Sequence, residues 1–293
     1  MLTLYFFLIF CYNVGMAHCI VEEAEKILDV EFPVLDHGFV RLVDYLGGDA
    51  RIVQAARVSY GEGTKTVRED AALIDYLLRN DHTSPFEQVV FTFHLKMPIF
   101  VARQWVRHRT ARMNEISGRY SILKNEAYVP SLQDVGFQAK NNKQGRSYDA
   151  MPKELAEKTV ASISEVQKNI FESYDALLND NIAKELARIN LPLSTYTEMY
   201  WQIDLHNLFH FLKLRCDWHA QKEIRDYAFV LLDVVEKVAP LATAAFKAHV
   251  LHGTSISQNE AKALLSLLDG KELGLEAREQ ERLKEKLSKA VES

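Results

Sequence analysis

The sequence predicts an α+β protein, a mixed sheet packed with a large helical part. Two observations carry that prediction. Gly38–Leu46 and Val89–Met97 alternate apolar and polar residues with the two-residue period of a strand. Met151–Leu251 repeats its apolar residues at helical spacing instead. A third stretch, residues 107–120, fits neither pattern and is too charged to bury.

Residues 1–35 read as an N-terminal extension. Its first part, from Leu2 through Phe6, Phe7, Leu8, Ile9 and Phe10, is strongly apolar, but no basic residue precedes it and the first is Lys26. The run is too short to span a bilayer comfortably. A mis-assigned start, with Met16 as the initiator, is the preferred reading over a targeting segment. Residues 17–35 read as a connector or short helix. Gly47-Gly48-Asp49 ends the first strand, and Asp49 is expected to cap a helix through Val53 and Ala56. Val67–Arg79 has the helical spacing of Ala71, Leu73, Ile74, Leu77 and Leu78.

After a polar loop at Asp81–Pro85, the second strand puts Val89, Phe91, Phe93, Leu95 and Met97 on one face, and Thr92, His94 and Lys96 on the other. Pro98 suits the first turn of a helix, where its missing N–H costs nothing. That helix packs through Ile99, Phe100, Ala102 and Val106 and leads into the basic stretch, which reads as a loop or strand ending near Tyr128–Pro130. Gln133–Tyr148 is polar and reads as a mobile surface loop. Helices are expected over 155–178, 181–191, 197–214 and 220–250, with Pro192 and Pro240 marking breaks. Residues 254–293 form a charged helical appendage with an apolar stripe at Ala263, Leu264, Leu267 and Leu268, suited to contact a neighbouring subunit.

Net charge is −5, so bulk charge does not favour nucleic-acid binding. The three cysteines, Cys11, Cys19 and Cys216, have neither metal nor disulfide spacing. A reduced, cytoplasmic setting is expected, with no membrane partner. Residues 107–120 concentrate four arginines with His108, Asn114, Glu115 and Ser117. Arg in place of Lys favours bidentate capture of phosphate. Taken alone, this stretch reads first as a solvated basic turn or an RNA-binding loop, and second as a small-anion site. His206 and His210 have the four-residue spacing of metal ligands, but Asn207 stands where a zinc-protease helix carries Glu, and no third ligand is evident. Arg215 lies amid Phe211, Leu212, Leu214 and Cys216, and a charge in such a helix normally has a partner.

Arg107-His108-Arg109, seven residues, then Ser117, resembles the signature of the flavin-dependent thymidylate synthases. Four more segments look like family blocks in the family's order: His82–Glu87, Pro98–Trp105, Ala187–Pro192 and Leu214–Gln221. The resemblance covers roughly residues 36–253, read as a single catalytic domain of that type. It implies reductive methylation of dUMP to dTMP, with methylenetetrahydrofolate as carbon donor, NADPH as reductant and bound FAD carrying the hydride. By the same resemblance Arg215 is catalytic, stabilising charge on the pyrimidine as a permanent cation. Gln104, Trp105, Val106, Arg107, Glu115, Ile116, Ser117, Gly118, Arg119 and Arg188 are the expected dUMP contacts. His82, Ser84, Arg107, His108, Arg109, Glu115, Asp204, Leu205, His206 and His210 are the expected FAD contacts. A homotetramer with FAD between subunits is implied, with no metal.

Two departures stand out. Arg112 occupies a place where the family commonly has Ser. Asp204-Leu205-His206 is one of two family forms of the flavin-contact stretch. No glycine-rich dinucleotide fingerprint is present, so FAD would not sit in a Rossmann crevice.

Overall fold

A computed structural model describes residues 19–58, 67–140, 145–147, 149 and 151–292. The apolar run Leu2–Phe10, Cys11, Met16 and Asn141–Gln144 of the polar loop lie outside the described residues. The strands are β1 (Glu31–Val34), β2 (Gly38–Leu46), β3 (Val90–Pro98), β4 (Arg112–Glu115) and β5 (Tyr196–Asp204). The helices are α1 (Glu22–Glu25), α2 (Asp49–Arg57), α3 (Val67–Arg79), α4 (Ile99–Trp105), α5 (Lys153–Asn179), α6 (Lys184–Ala187), α7 (Leu205–Arg215), α8 (Lys222–Val238), α9 (Pro240–Phe246), α10 (Gln258–Leu268) and α11 (Ala277–Glu292).

The strands form one sheet in the order β1-β2-β3-β5-β4, and every neighbouring pair is antiparallel. One face carries the core. Phe91, Phe93 and Leu95 of β3, Val40 and Leu42 of β2, and Met199, Trp201 and Ile203 of β5 are all buried there. Trp105 at the end of α4 packs on Trp201 at a ring distance of 5.1 Å and on Phe211 of α7 at 4.5 Å. Burying such rings contributes roughly 2–3 kcal/mol each. The opposite face is polar: His94 Nε2 lies 3.1 Å from Glu198, and Lys96 pairs with Glu126 at 2.7 Å. Gly38 is required where β2 passes Tyr227, because a Cβ there would sit 1.9 Å from the phenol oxygen, which donates to the Lys96 carbonyl at 2.6 Å.

Several expectations hold and others change. Gly38–Leu46 and Val67–Arg79 are a strand and a helix as expected. The helix expected over 197–214 is two elements: β5 ends at Asp204 and α7 begins at Leu205. Residues 196–204 do alternate, with Met199, Trp201 and Ile203 inward. No Gly or Pro separates them from the helical pattern, so the change of period is easily missed. Asp204 makes the boundary by accepting the Asn207 backbone N–H at 2.9 Å as N-cap.

The stretch expected as a helix over 181–191 is only the short α6 and a following 3-10 turn. Pro240 does mark a break, opening α9 after α8 ends. The segment drawn as an extension contributes to the body: β1 pairs with β2, and Ala24, Ile27 and Val34 belong to the core.

Asp49 has a different role from the one expected. Gly48, not Asp49, occupies the N-cap position of α2. The Asp49 carboxylate instead accepts from Leu241 N at 2.8 Å and Ala242 N at 3.0 Å, capping α9 across the chain. Burial pushes its pKa up, and the two N–H donors oppose that shift. In the appendage, Ser257 and Glu260 form a capping box at the start of α10. Glu260 is buried, and Lys286 of α11 sits 2.9 Å away. The Ser257 N–H, followed by Lys286, holds this carboxyl down to about 2. The stripe is unevenly covered, with Ala263 buried and Leu268 83% exposed.

Asp49→Ala should lower the unfolding free energy by about 1–2 kcal/mol, the usual cost of losing a cap. Asp49→Asn should retain most of that stability in a chemical-denaturation series. Equal stability of the Ala variant and the parent would remove the cross-chain cap from the account.

Candidate active site

The site is assembled where α4 ends and α7 ends. Trp105 is fully buried and fixes the end of α4, so the chain leaves the core at Val106. The His108 backbone N–H then closes on the Trp105 carbonyl at 3.0 Å. The last turn of α7 brings in Arg215 from a distant part of the sequence. Its Nε donates to His108 Nε2 at 3.0 Å, and its terminal nitrogen donates to the Gln104 carbonyl at 3.3 Å. His108 also rests edge-on against Phe211 at 4.7 Å.

These contacts fix the protonation of the pair. His108 accepts at Nε2, which requires a neutral ring. Burial, then the neighbouring Arg215 charge, pushes its pKa down to about 4. Burial also lowers the Arg215 pKa, yet a guanidinium starts so high that it stays charged. Arg215 is half-buried and its hydrogen-bond partners here are both neutral. A cation in that state is poised to receive negative charge from a ligand.

Three cavities lie in this region. A cleft of about 820 Å³ lies between Phe137–Lys140 and Trp218–Lys222, with Gln104 and Arg215 in its wall. A second, about 330 Å³, is lined by Arg107, His108, Arg109, Asn207, His210 and Arg215. A third, about 240 Å³, has the histidines His82, His206 and His210 beside Phe86, Phe209 and Phe246. Arg215 borders the first two, and His210 borders the second and third. The expected FAD contacts Arg107, His108, Arg109, His82, His206 and His210 are thereby gathered. Thr83, rather than Ser84, lines the third cavity.

Other expected contacts have different placements. Trp105 is core, so its side chain does not line the cavities described. Val106 is the C-cap of α4. Leu205 is fully buried, and the Asp204 carboxylate is engaged by the Asn207 backbone and side-chain amides. Asn207, Trp218 and Gln221 line cavities and were not singled out from the sequence. For Asn207 the available signal was a polar residue in the first turn of an otherwise apolar helix.

The remaining expected dUMP contacts form a second group. Glu115 accepts from Thr197 Oγ1 at 2.6 Å, and the Ile116 N–H donates to the Glu198 carbonyl at 2.9 Å. Arg119 Nε lies 3.1 Å from Glu185. Gly118 lies against the Arg188 side chain, where an added Cβ would meet its Cδ at 3.0 Å. Ser117 Oγ accepts the Arg119 N–H at 3.4 Å. This group lies at the Tyr196 end of β5, whereas Arg107–Thr110 lies by Ile203 and Asn207 at the other end. At a strand rise of about 3.3 Å per residue, the two groups stand roughly 20 Å apart along one chain.

Among the described residues no three His, Cys, Asp or Glu side chains converge as a metal site. Cys216 is buried beside Arg215, and burial pushes its thiol up to about 12, so it is not a nucleophile at neutral pH.

Arginines and histidines thus line cavities at the margin of an antiparallel sheet, an arrangement suited to anionic ligands. Residues 41–241 match the family described as "Thymidylate synthase complementing protein". The flavin-dependent thymidylate synthase of Treponema denticola is 65% identical over 260 residues, covering 89% of this chain and 98% of the relative. That of Treponema pallidum is 59% identical over 283 residues, covering 97% and 93%. Among solved structures, a UMP/dUMP methylase, PolB, from Streptomyces cacaoi bound with 5-Br dUMP superposes with a TM-score of 0.68 at 32% identity, covering 75% of this chain and 99% of that one. This chain belongs to the flavin-dependent thymidylate synthase family.

The depressed His108 pKa has a stability consequence. Between about 4 and 6.5 the unfolded chain binds a proton that the folded chain does not. Stability from this group is therefore present above pH 6.5 and is lost as pH falls towards 4. The His108 ring should titrate near pH 4 by NMR, and His108→Gln should flatten the acid limb of the stability profile. Titration near 6.5 would sink the assignment.

Proposed function

We propose that this chain binds FAD and dUMP and makes dTMP, with methylenetetrahydrofolate as carbon donor and NADPH as reductant. The observation that carries this reading is Arg215: a half-buried cation held by neutral partners between two cavities. Such a group stabilises negative charge on a bound pyrimidine, which makes carbon 5 of the ring nucleophilic. His108 holds the guanidinium in place from one side and the Gln104 carbonyl from the other.

The residues fit FAD. Arg107 and Arg109 make no ion pair among the described residues and face one cavity together, as a diphosphate requires. The adjoining cavity is apolar with a histidine rim, suited to a flat ring system. When bound, the flavin supplies hydride chemistry that no side chain offers. The chain supplies binding, orientation and charge. Among the described residues Cys216 is kept a thiol by burial, and Ser117 Oγ receives the Arg119 backbone N–H.

The separation of the dUMP contacts into two groups supports a homotetramer, in which one chain brings Gln104 and Arg215 and another brings Ser117–Arg119 and Arg188. The two groups stand at opposite ends of β5, roughly 20 Å apart along the strand. A cytoplasmic setting is the matching proposal for Cys19 and Cys216, both free thiols. No helix among the described residues is long and apolar enough to cross a membrane.

A visible spectrum tests the reading. Purified protein should show a flavin band that NADPH bleaches, with the bleaching altered by dUMP. Protein that is colourless and takes up no added FAD would overturn it. Arg215→Ala should cut turnover by roughly 10²–10³, the scale of removing one electrostatic stabiliser, while flavin content is kept. Arg107→Ala should weaken both flavin and nucleotide binding; unchanged flavin content would detach Arg107 from the cofactor.

A further inference from the structure

The third cavity has three walls: the end of α3 with the loop after it, α7, and the end of α9 with the turn beyond it. That turn is wound wider than an α-helix. Lys247–Leu251 is a π-helical segment, and the His252 N–H reaches back five residues to the Lys247 carbonyl at 2.9 Å. Such turns are rare and are frequent at functional sites. Gly253 is needed straight after it, because a Cβ there would lie 2.1 Å from the His249 carbonyl oxygen. Two ion pairs tie the turn to its neighbours. Lys247 pairs with Glu236 of α8 at 2.8 Å, and His249 Nε2 lies 2.5 Å from Asp75 Oδ1 of α3. The other Asp75 oxygen is 3.8 Å from Arg79.

The His249–Asp75 bond joins two walls of the cavity, although neither residue lines it. Val250, next to His249, and Phe246, three residues before it, both line the cavity. Phe246 also stacks on Phe209 of α7 at 4.3 Å, so this wall bears on the next. On the α3 side, Leu77 and Leu78 follow Asp75 within one turn and line the cavity. Tyr76, next to Asp75, meets the His82 ring edge-on at 5.8 Å, and the His82 N–H donates to the Leu77 carbonyl at 2.9 Å. With side chains 30% and 41% exposed, the pair is screened by water and adds little to overall stability. Its consequence is geometric: it sets the distance between the turn carrying Val250 and the α3 end carrying His82.

We propose that His249 and Asp75 are positioning residues for the flavin: their bond holds the π-helical turn against α3 and keeps the third cavity at the width, and His82 in the place, that a flat ring system needs. The proposal rests on the reading of this cavity as the flavin-ring site. An imidazole donates from Nε2 both as the cation and as the matching neutral tautomer, so the bond does not depend on the ring's charge. Cutting it frees the turn and α3 to shift independently, and a wall misplaced by roughly 1 Å is enough to loosen a rigid ligand. Gln104 and Arg215 border other cavities, so the nucleotide contacts they supply are untouched.

The test follows flavin release. FAD-loaded protein is diluted stepwise and the freed FAD is read by its fluorescence, for the parent, His249→Ala, Asp75→Ala, the double variant and His249→Gln, which keeps a donor. Absorption spectra and dUMP affinity at saturating FAD are measured alongside. Each alanine variant should bind FAD roughly fivefold more weakly, the upper end of what an exposed pair supplies, and should shift the flavin band. The double variant should match the singles, because all three lack the same bond. His249→Gln should recover most of the affinity, and dUMP affinity should stay at the parent value. Alanine variants with the parent's FAD affinity and spectrum overturn the positioning role, as do losses that add in the double variant. A fall in thermal stability with an unchanged flavin band makes the pair structural only and overturns it as well. If an alanine variant does not fold, His249→Leu, which keeps the bulk and removes the bond, decides by the same readouts. A parent protein that takes up no FAD overturns both this proposal and the reading beneath it.

Discussion

A guanidinium taken half out of water, with a neutral imidazole and a carbonyl as partners, is costly. Arg215 meets that cost through the packing around it. Trp105, Phe211 and Tyr227 form a rigid aromatic floor, with Trp105 within 6.1 Å of the Tyr227 ring. On that floor α4 and α7 end side by side, and His108 and Gln104 are set to receive the guanidinium. The pair also reinforces itself: the Arg215 charge helps keep His108 neutral, and only neutral His108 can accept from Arg215. The guanidinium therefore keeps a charge that its neutral partners do not balance.

Strand β5 acts as the spacer for everything else. It pairs with β3 over its whole length and with β4 over the signature. Its two ends carry the two groups of candidate ligand residues, one beside Thr197 and Glu198, the other beside Ile203 and Asn207. Because a strand cannot shorten, the two groups cannot be brought together by local movement.

Elsewhere the protein buries charge only where a partner is ready. Glu223 is held between Tyr128 and Arg146, Glu260 by Ser257 and Lys286, and Asp49 by the first N–H groups of α9. Each of these ties segments distant in sequence or adjacent helices of the appendage. Cys216 shows the converse: burial, with the Asp233 charge behind it, keeps its thiol protonated. The contrast with Arg215 sets the candidate site apart from these structural polar contacts, because its guanidinium has only neutral hydrogen-bond partners.

The sequence by itself determined the residue chemistry and most of the local structure. Period-two alternation identified β2 and β3, helical spacing identified α3 and α5, and the Arg-His-Arg segment identified the chemistry-bearing stretch, because these signals are written in neighbouring residues. Only the tertiary structure decided which groups act together. His108 and Arg215 stand 107 residues apart, and Gln104 and Gln221 stand 117 apart, yet each pair is hydrogen-bonded. The same holds for Asp49, which reads as a cap for its own helix and caps one 192 residues away. Local pattern fixes which face a side chain leaves from, but its partner is set by how strands and helices pack. That is why Asn207 and Gln221 became visible as cavity residues only once the chain was folded.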